Sequence, residues 1–270
     1  MHISAIFIYP IKGLPGISVE TSMIQTKGLQ FDRRWMLVDE NNQFLSQREL
    51  PILSQCKVQM HKTGFLIYSP NGLSAIEIPF QICGPEQLVK VWNDSCIAHF
   101  LDKEVDEWFS KIIDRTCRLV FMPEHSQRLL IETNVPANSS VSFADGFPIL
   151  LIGSASLQFL NNQLQEPVLM DRFRPNIVIS GSAPFAEDQW GDFKIKENRF
   201  KAIKPCARCS VTSINQQTGE PGTEPLRTLS LFRKKGAKIF FGENIICTHI
   251  ASEICVGDLL QIETYKEFRI

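Results

Sequence analysis

Apolar and polar positions alternate with a period of two through most of the first ninety residues. In HISAIFIY, this places Ile3, Ala5, Phe7 and Tyr9 on one face of a strand. RWMLVD (34–39) and FLSQ (44–47) flank the polar stretch ENNQ and predict a hairpin. CKVQMH, FLIY, LSAIEIP and LVKVW follow, separated by KTG and SPNG turns. So many short strands at this spacing point to a barrel or sandwich. The period then changes. In LDKEVDEWFSKII, residues Val105, Trp108, Phe109, Ile112 and Ile113 recur at helical spacing, with Asp102 placed as the N-cap. A strand, CRLVF, comes next, and the polar stretch 124–146, with Pro136 and Gly146, reads as a long surface loop.

The second half returns to strands. FPILLIG has the unbroken apolar run of a buried strand, and SASLQFLNNQL reads as a helix capped by Ser154. NIVIS, DFKIK, RFKAI, SVTSI, AKIFFG and DLLQIE are further strand candidates, whereas EPLRTLSLFRK (224–234) predicts a helix entered through Pro225. No βαβ unit is expected from this order. The fold class is therefore mainly β with a few short helices (α+β). It divides into two β-barrel-like subdomains, residues 1–120 and 121–270.

Composition narrows the picture. The chain has 270 residues, 44% of them hydrophobic, with a formal net charge of −1. That supplies a real core and no overall field for nucleic acid or an anionic membrane. No stretch has the length of about 20 apolar residues that a membrane span needs, and the start lacks the basic region and cleavage site of a signal peptide. Eight scattered cysteines in a long, cored chain suggest buried thiols in a reduced, cytoplasmic protein. Trp35, Trp92 and Trp108 are expected in the core, and Trp190 in packing. Glu187 and Asp188 read as ordinary surface charges, and the five histidines as forming no ligand cluster.

The stretch KPCARCSV (204–211) carries the candidate chemistry. Two cysteines three apart are half of a structural zinc site, but no second knuckle is visible. A redox pair would need a helix start beside a βαβ unit. A single metal-binding thiolate needs less: Arg208 beside Cys209 favours the ionised sulfur, and a thiolate suits soft or high-valent transition metals. An anionic organic cofactor holding that metal would be met by cations and amides. Lys12 (YPIKG), Arg33 (FDRRW), Arg48 (SQRE), Arg172, Arg174 and Asn176 (RFRPN) are the candidates, though each alone reads equally as a solvated surface group.

Taken together, YPIKG, GLQFDRRWMLVD, VSFADGFPILL, FRPNIVISG, EDQW, KPCARC, EPLRTL and a closing VGD resemble the MOSC proteins, nearly end to end and in the same order. Within that family it resembles the amidoxime-reducing subgroup. That resemblance implies an N-terminal MOSC β-barrel domain and a MOSC domain. It also implies the molybdenum cofactor (Mo-molybdopterin), with Cys209 as the metal ligand. Lys12, Gly13, Arg33, Arg174, Asn176, Ala207 and Arg208 are implied as cofactor-binding, and Cys209 with Asp145 as catalytic. Cys206 matches a cysteine that packs or supports the loop. Gly13 stands where related chains often carry serine, and SQRE replaces a TARQ-like segment. The implied activity is reduction of N-hydroxylated compounds. No C-x4-C-x2-C spacing for an iron–sulfur cluster is present, so a separate ferredoxin-, flavodoxin- or cytochrome-type donor is expected. The alternatives are a cofactor carrier without turnover and a zinc-containing structural protein.

Overall fold

A computed structural model describes residues 1–267. Strands dominate and fall into two principal sheets. A nine-stranded sheet runs in the order Leu260–Ile262, Asp192–Ile195, Asn198–Ala207, Lys238–His249, Ile149–Gly153, Ile177–Ser180, His2–Ile8, Ile17–Val19, with Lys234–Lys235 paired to Lys238–His249. A five-stranded sheet runs Glu86–Val91, Asp94–Phe100, Arg118–Phe121, Trp35–Val38, Ile11–Lys12. A three-stranded sheet, Ala75–Pro79, Gly64–Tyr68, Lys57–Met60, packs with them. The mainly β class with few short helices is the one observed. Each sheet is an open path, and none closes on itself among the described residues.

The first strand joins the two halves. His2–Ile8 pairs with Ile177–Ser180 in the large sheet, and three residues later Ile11–Lys12 pairs with Trp35–Val38 in the five-stranded sheet. Tyr9 and Pro10 are thus the crossing point between sheets. The expected Ile3, Ala5, Phe7, Tyr9 face is corrected here. A register shift between Ile3 and Ala5 turns the strand over, so Ile3, Ile6 and Ile8 enter the core instead.

The helix Lys103–Ile113 forms as its spacing predicts. The Asp102 carboxylate accepts from the Val105 amide at 2.9 Å, and Val105, Phe109 and Ile113 are buried against Trp35, Leu37 and Phe65. Other elements differ from expectation. The helix Ser154–Asn161 is not capped by Ser154, whose hydroxyl pairs with that of Ser180; Gly153 holds the cap position, and its amide donates to Glu187. This helix connects Ile149–Gly153 to the parallel strand Ile177–Ser180, so a βαβ unit is present after all. The helix expected over 224–234 is only Leu226–Leu229, because the chain turns to bring Arg233 onto buried Asp188 at 2.7 Å. SVTSI is not a strand. Ser210–Ser213 is a 3-10 turn closed by the Thr212 amide and hydroxyl, both donating to the Cys209 carbonyl.

Glu187 and Asp188 are not surface charges: both are buried. Glu187 accepts from Ser156 and the Gly153 amide, which satisfies a carboxyl group that would otherwise be costly to bury. Trp35 lies in the core, and Trp190 packs with Phe193. Among the described residues, no helix is long and apolar enough to cross a membrane.

Candidate functional site

A pocket opens where the two principal sheets meet, and both halves of the chain line it. Five residues with cationic side chains, Lys12, Arg33, Arg48, Arg174 and Arg208, and one carboxylate, Asp145, line the same cavity as Cys209. Cys209 itself is exposed to that cavity. It sits just beyond the end of Asn198–Ala207, a strand whose pairing with Lys238–His249 slips between Ala202 and Lys204 and again between Pro205 and Ala207. Such irregularities bend a strand and re-aim the residues beyond it, and here they lead into the loop that presents the thiol. Pro205 is tolerated there because a bulge removes the need for a ladder N–H.

The arginines are held rigidly. Arg33 and Arg174 stack on the Tyr9 ring, each guanidinium carbon 4.3 Å from its centroid. Arg33 donates to both oxygens of buried Asp32 at 2.8 and 2.9 Å, to Asn176 Oδ1 and to the Arg174 carbonyl. Burial alone would weaken the Arg33 cation, but the Asp32 carboxylate outweighs it and the group binds its proton more tightly than usual. Arg174 differs. Its guanidinium donates to the Leu14 carbonyl at 2.7 Å, and among the described residues no carboxylate lies within salt-bridge distance of it. Burial, and then the neighbouring Arg33 charge, pull its pKa down to about 10. It remains a cation at neutral pH, eased by the more distant Asp32 and Asp145 charges but without a carboxylate of its own among the described residues.

Arg33 (φ 49°), Arg174 (φ 55°) and Trp92 (φ 56°) all occupy left-handed backbone, a region that bulky residues avoid. Among the described residues, three of the ten non-glycine residues in that region therefore line this pocket. Strain concentrated in this way marks positions where side-chain placement outweighs backbone preference. Gly13, at φ +89°, also needs left-handed backbone, so a serine there would be strained. Its carbonyl accepts from Gln47 Nε2 at 3.1 Å.

Lys12 is almost fully buried. It donates to the Phe143 carbonyl at 2.8 Å and forms an ion pair with Asp145. Burial lowers its pKa despite that partner. For Asp145 the balance goes the other way. Desolvation raises its pKa, but the Lys12 charge and hydrogen bond, the Trp92 indole N–H at 3.2 Å and Arg33 together hold the carboxyl well below its ordinary range. Its side chain remains 67% exposed, so it faces the open mouth of the pocket as a carboxylate.

Not every expected residue contributes as expected. Asn176 lines the wall, but its amide is spent on Arg33, the Leu150 amide and the Phe7 carbonyl, so it positions its neighbours. Ala207 pairs with Phe240 and does not line the cavity. Arg208 points at the Cys206 sulfur, 3.0 Å away, and at the Phe173 carbonyl, 2.6 Å away, so the hydrogen bonds it makes support Cys206. Its Nε is buried without a protein partner. Cys206 is half-buried against Phe173 and Phe241, the packing role expected of it. Arg172 lies outside the pocket and braces the loop after Cys209 by donating to the Thr212 carbonyl at 2.8 Å.

Trp92 departs from the core position expected of it. It is not a core residue but 42% exposed at the pocket mouth, with Arg48 over its ring at 4.6 Å and Phe44 beside it at 4.7 Å. The signal available was its place in the two-residue turn between Val91 and Asp94, where a tryptophan is unusual.

Comparison with known proteins accords with this geometry. Residues 1–116 match the model of the MOSC N-terminal beta barrel domain, and residues 138–261 that of the MOSC domain. The chain is 31% identical to a molybdenum cofactor sulfurase from Oryza sativa subsp. japonica, a similarity that covers 90% of this chain but 32% of that much longer protein. It is 30% identical to mitochondrial amidoxime reducing component 2 from Rattus norvegicus, over 86% of this chain and 72% of the relative.

Proposed function

From the premise that this chain belongs to the MOSC family and carries its N-terminal barrel domain, we propose that it is a molybdenum-cofactor-dependent reductase of N-hydroxylated compounds. One observation carries the reading: an exposed thiol shares a cavity with five cations, three of which (Arg48, Arg174 and Arg208) have no carboxylate within salt-bridge distance among the described residues. Arg174 and Arg208 are half-buried, so leaving them without a paired carboxylate has a cost that an anionic ligand would relieve, and exposed Arg48 adds its charge at the mouth.

The residues present fit such a ligand. Arg174, Arg33 and Lys12 would hold its phosphate and polar rings through charge-assisted hydrogen bonds, and the partnerless Nε of Arg208 offers a further donor. Cys209 would supply the protein's sulfur to the metal. The bound cofactor supplies the two-electron chemistry by which an N–OH group, two electrons and two protons become N–H and water.

The chain's own residues do the rest. Tyr9 and Asp32 fix the Arg33 and Arg174 heads, so little ordering is needed on binding. Asp145, held ionised, accepts a hydrogen bond from the substrate's N–H or O–H rather than donating a proton. Trp92 and Phe44 form an apolar shelf at the mouth for the substrate's body. The two electrons come from a separate donor protein.

The test is protein made in a cofactor-competent host, wild type beside Cys209→Ala, assayed for molybdenum, pterin and reduction of an amidoxime with chemical reductant. Wild type should contain the metal and turn over, and the variant should lose at least a hundredfold in activity while melting alike. Wild type that lacks molybdenum, or a variant of equal activity, would remove this proposal. Transfer of the cofactor to an apo-molybdoenzyme without turnover would replace it with a carrier.

A further inference from the structure

Outside the pocket, Glu86, His99 and His125 bring their donor atoms within 4.8 Å of one another, a cluster that the sequence did not reveal. Three separate segments build it. Glu86 opens the strand Glu86–Val91, His99 is its direct cross-strand partner near the end of Asp94–Phe100, and His125 comes from the segment after Arg118–Phe121. Glu86 Oε1 lies 2.8 Å from His125 Nε2 and 3.5 Å from His99 Nε2. The two rings stand nearly perpendicular, at 78°.

The tautomer of His99 makes this more than a surface ion pair. Its Nδ1 is 2.6 Å from the Gly84 carbonyl, which can only accept, so Nδ1 carries a proton. In the neutral ring Nε2 is then a lone pair facing a carboxylate oxygen. Two acceptors 3.5 Å apart repel, and a cation between them, either a proton or a metal ion, turns that repulsion into attraction. Fixing one imidazole nitrogen on a backbone carbonyl is also how proteins orient a metal-ligating histidine.

We propose that Glu86, His99 and His125 form a binding site for a divalent transition metal of the zinc class. Around a tetrahedral ion with bonds of 2.0–2.2 Å, ligand atoms lie about 3.3–3.6 Å apart; the Glu86–His99 separation of 3.5 Å already matches, and the Glu86–His125 contact of 2.8 Å would open by less than about 1 Å to admit the ion. Imidazole and carboxylate ligands suit zinc, and the exposure of His125 leaves solvent to complete the shell. The ion would clamp the start of the segment 122–148 onto the five-stranded sheet. That segment also carries Phe143 and Asp145, the partners of Lys12 in the pocket.

The test uses the full chain with its cofactor content recorded, stripped with a chelator and dialysed against micromolar zinc. Wild type is compared with His125→Ala and Glu86→Gln, and bound metal is measured by elemental analysis. The eight cysteines are a competing sink, so cobalt spectra are taken in parallel. Wild type should hold one equivalent of zinc more than either variant, with a zinc-dependent rise in melting temperature that both variants lose. Its cobalt form should show d–d bands without the thiolate charge-transfer band. Equal zinc content in all three proteins, no zinc retained by wild type, or a thiolate band that accounts for all the bound cobalt would each overturn the proposal. The first two outcomes would leave the three groups bridged by a proton only.

Discussion

Trp92 shows what one residue's backbone can reveal. A tryptophan in left-handed conformation, exposed, with its N–H on Asp145 and a guanidinium over its ring, is held in place at a cost. In the proposed reductase that cost provides an aromatic shelf for substrate. Trp92→Ala should raise KM about two- to tenfold with kcat nearly unchanged, since an aromatic contact is worth about 0.5–1.5 kcal/mol. Trp92→Phe keeps the ring and loses only the hydrogen bond to Asp145, so it should recover most of the affinity. Steady-state kinetics of the three proteins on one aromatic amidoxime would check this. A fall in kcat with KM unmoved would instead place Trp92 in the chemistry. The sequence made Cys209, Lys12, Arg33 and Arg174 legible because each lies in a distinctive local string. Trp92 was not legible, because what matters is a contact with Asp145 across 53 positions. Arg208 was legible as a pocket residue, but its rotamer decides that it serves Cys206.

Among the elements, amphipathic periods and caps were readable wherever a single face decides the outcome, as in Lys103–Ile113 with its Asp102 cap. They misled where tertiary contacts intervene. Ser154 looks like a cap, but the carboxylate that accepts the Gly153 amide belongs to Glu187, 34 residues away, and no local pattern encodes it. The same buried layer makes a pH prediction possible. Glu243, on the long strand Lys238–His249, is fully buried. Desolvation pushes its pKa from 4.5 up to about 8, only partly offset by its ion pair with Lys266. In the unfolded chain it ionises near 4.5. Between those values the unfolded state gives up a proton that the folded state keeps, so stability is full at acid pH and falls as pH rises towards 8. Buried Glu187 and Asp188, both also raised chiefly by desolvation, add in the same direction. Urea unfolding of wild type should therefore show falling stability from about pH 5 to about pH 8, and Glu243→Gln should flatten that slope. Equal slopes would mean that Lys266 holds Glu243 ionised in the fold.

Across the whole molecule, the chain passes from one sheet to the other within Tyr9 and Pro10, and the pocket is assembled around that crossing. Lys12 enters from the five-stranded sheet. Arg174 shortly precedes Ile177–Ser180 in the large sheet, and Cys209 comes just after the bulged strand Asn198–Ala207. Neither sheet alone holds more than part of the charge that faces the thiol, so a ligand spanning the pocket must couple the two. Binding to the folded state alone stabilises by an amount that grows with ligand concentration relative to Kd, and that stabilisation is shared by every region whose opening destroys the site. Hydrogen exchange of cofactor-loaded against cofactor-free protein should thus slow together at Ile11–Lys12, at 31–35 and at 206–213. Segments remote from the pocket, such as Ala75–Pro79, should change only as far as global unfolding contributes. Protection confined to the loop around Cys209 would mean that the cofactor rests on the large sheet alone, and that Lys12 and Arg33 serve the fold rather than the ligand.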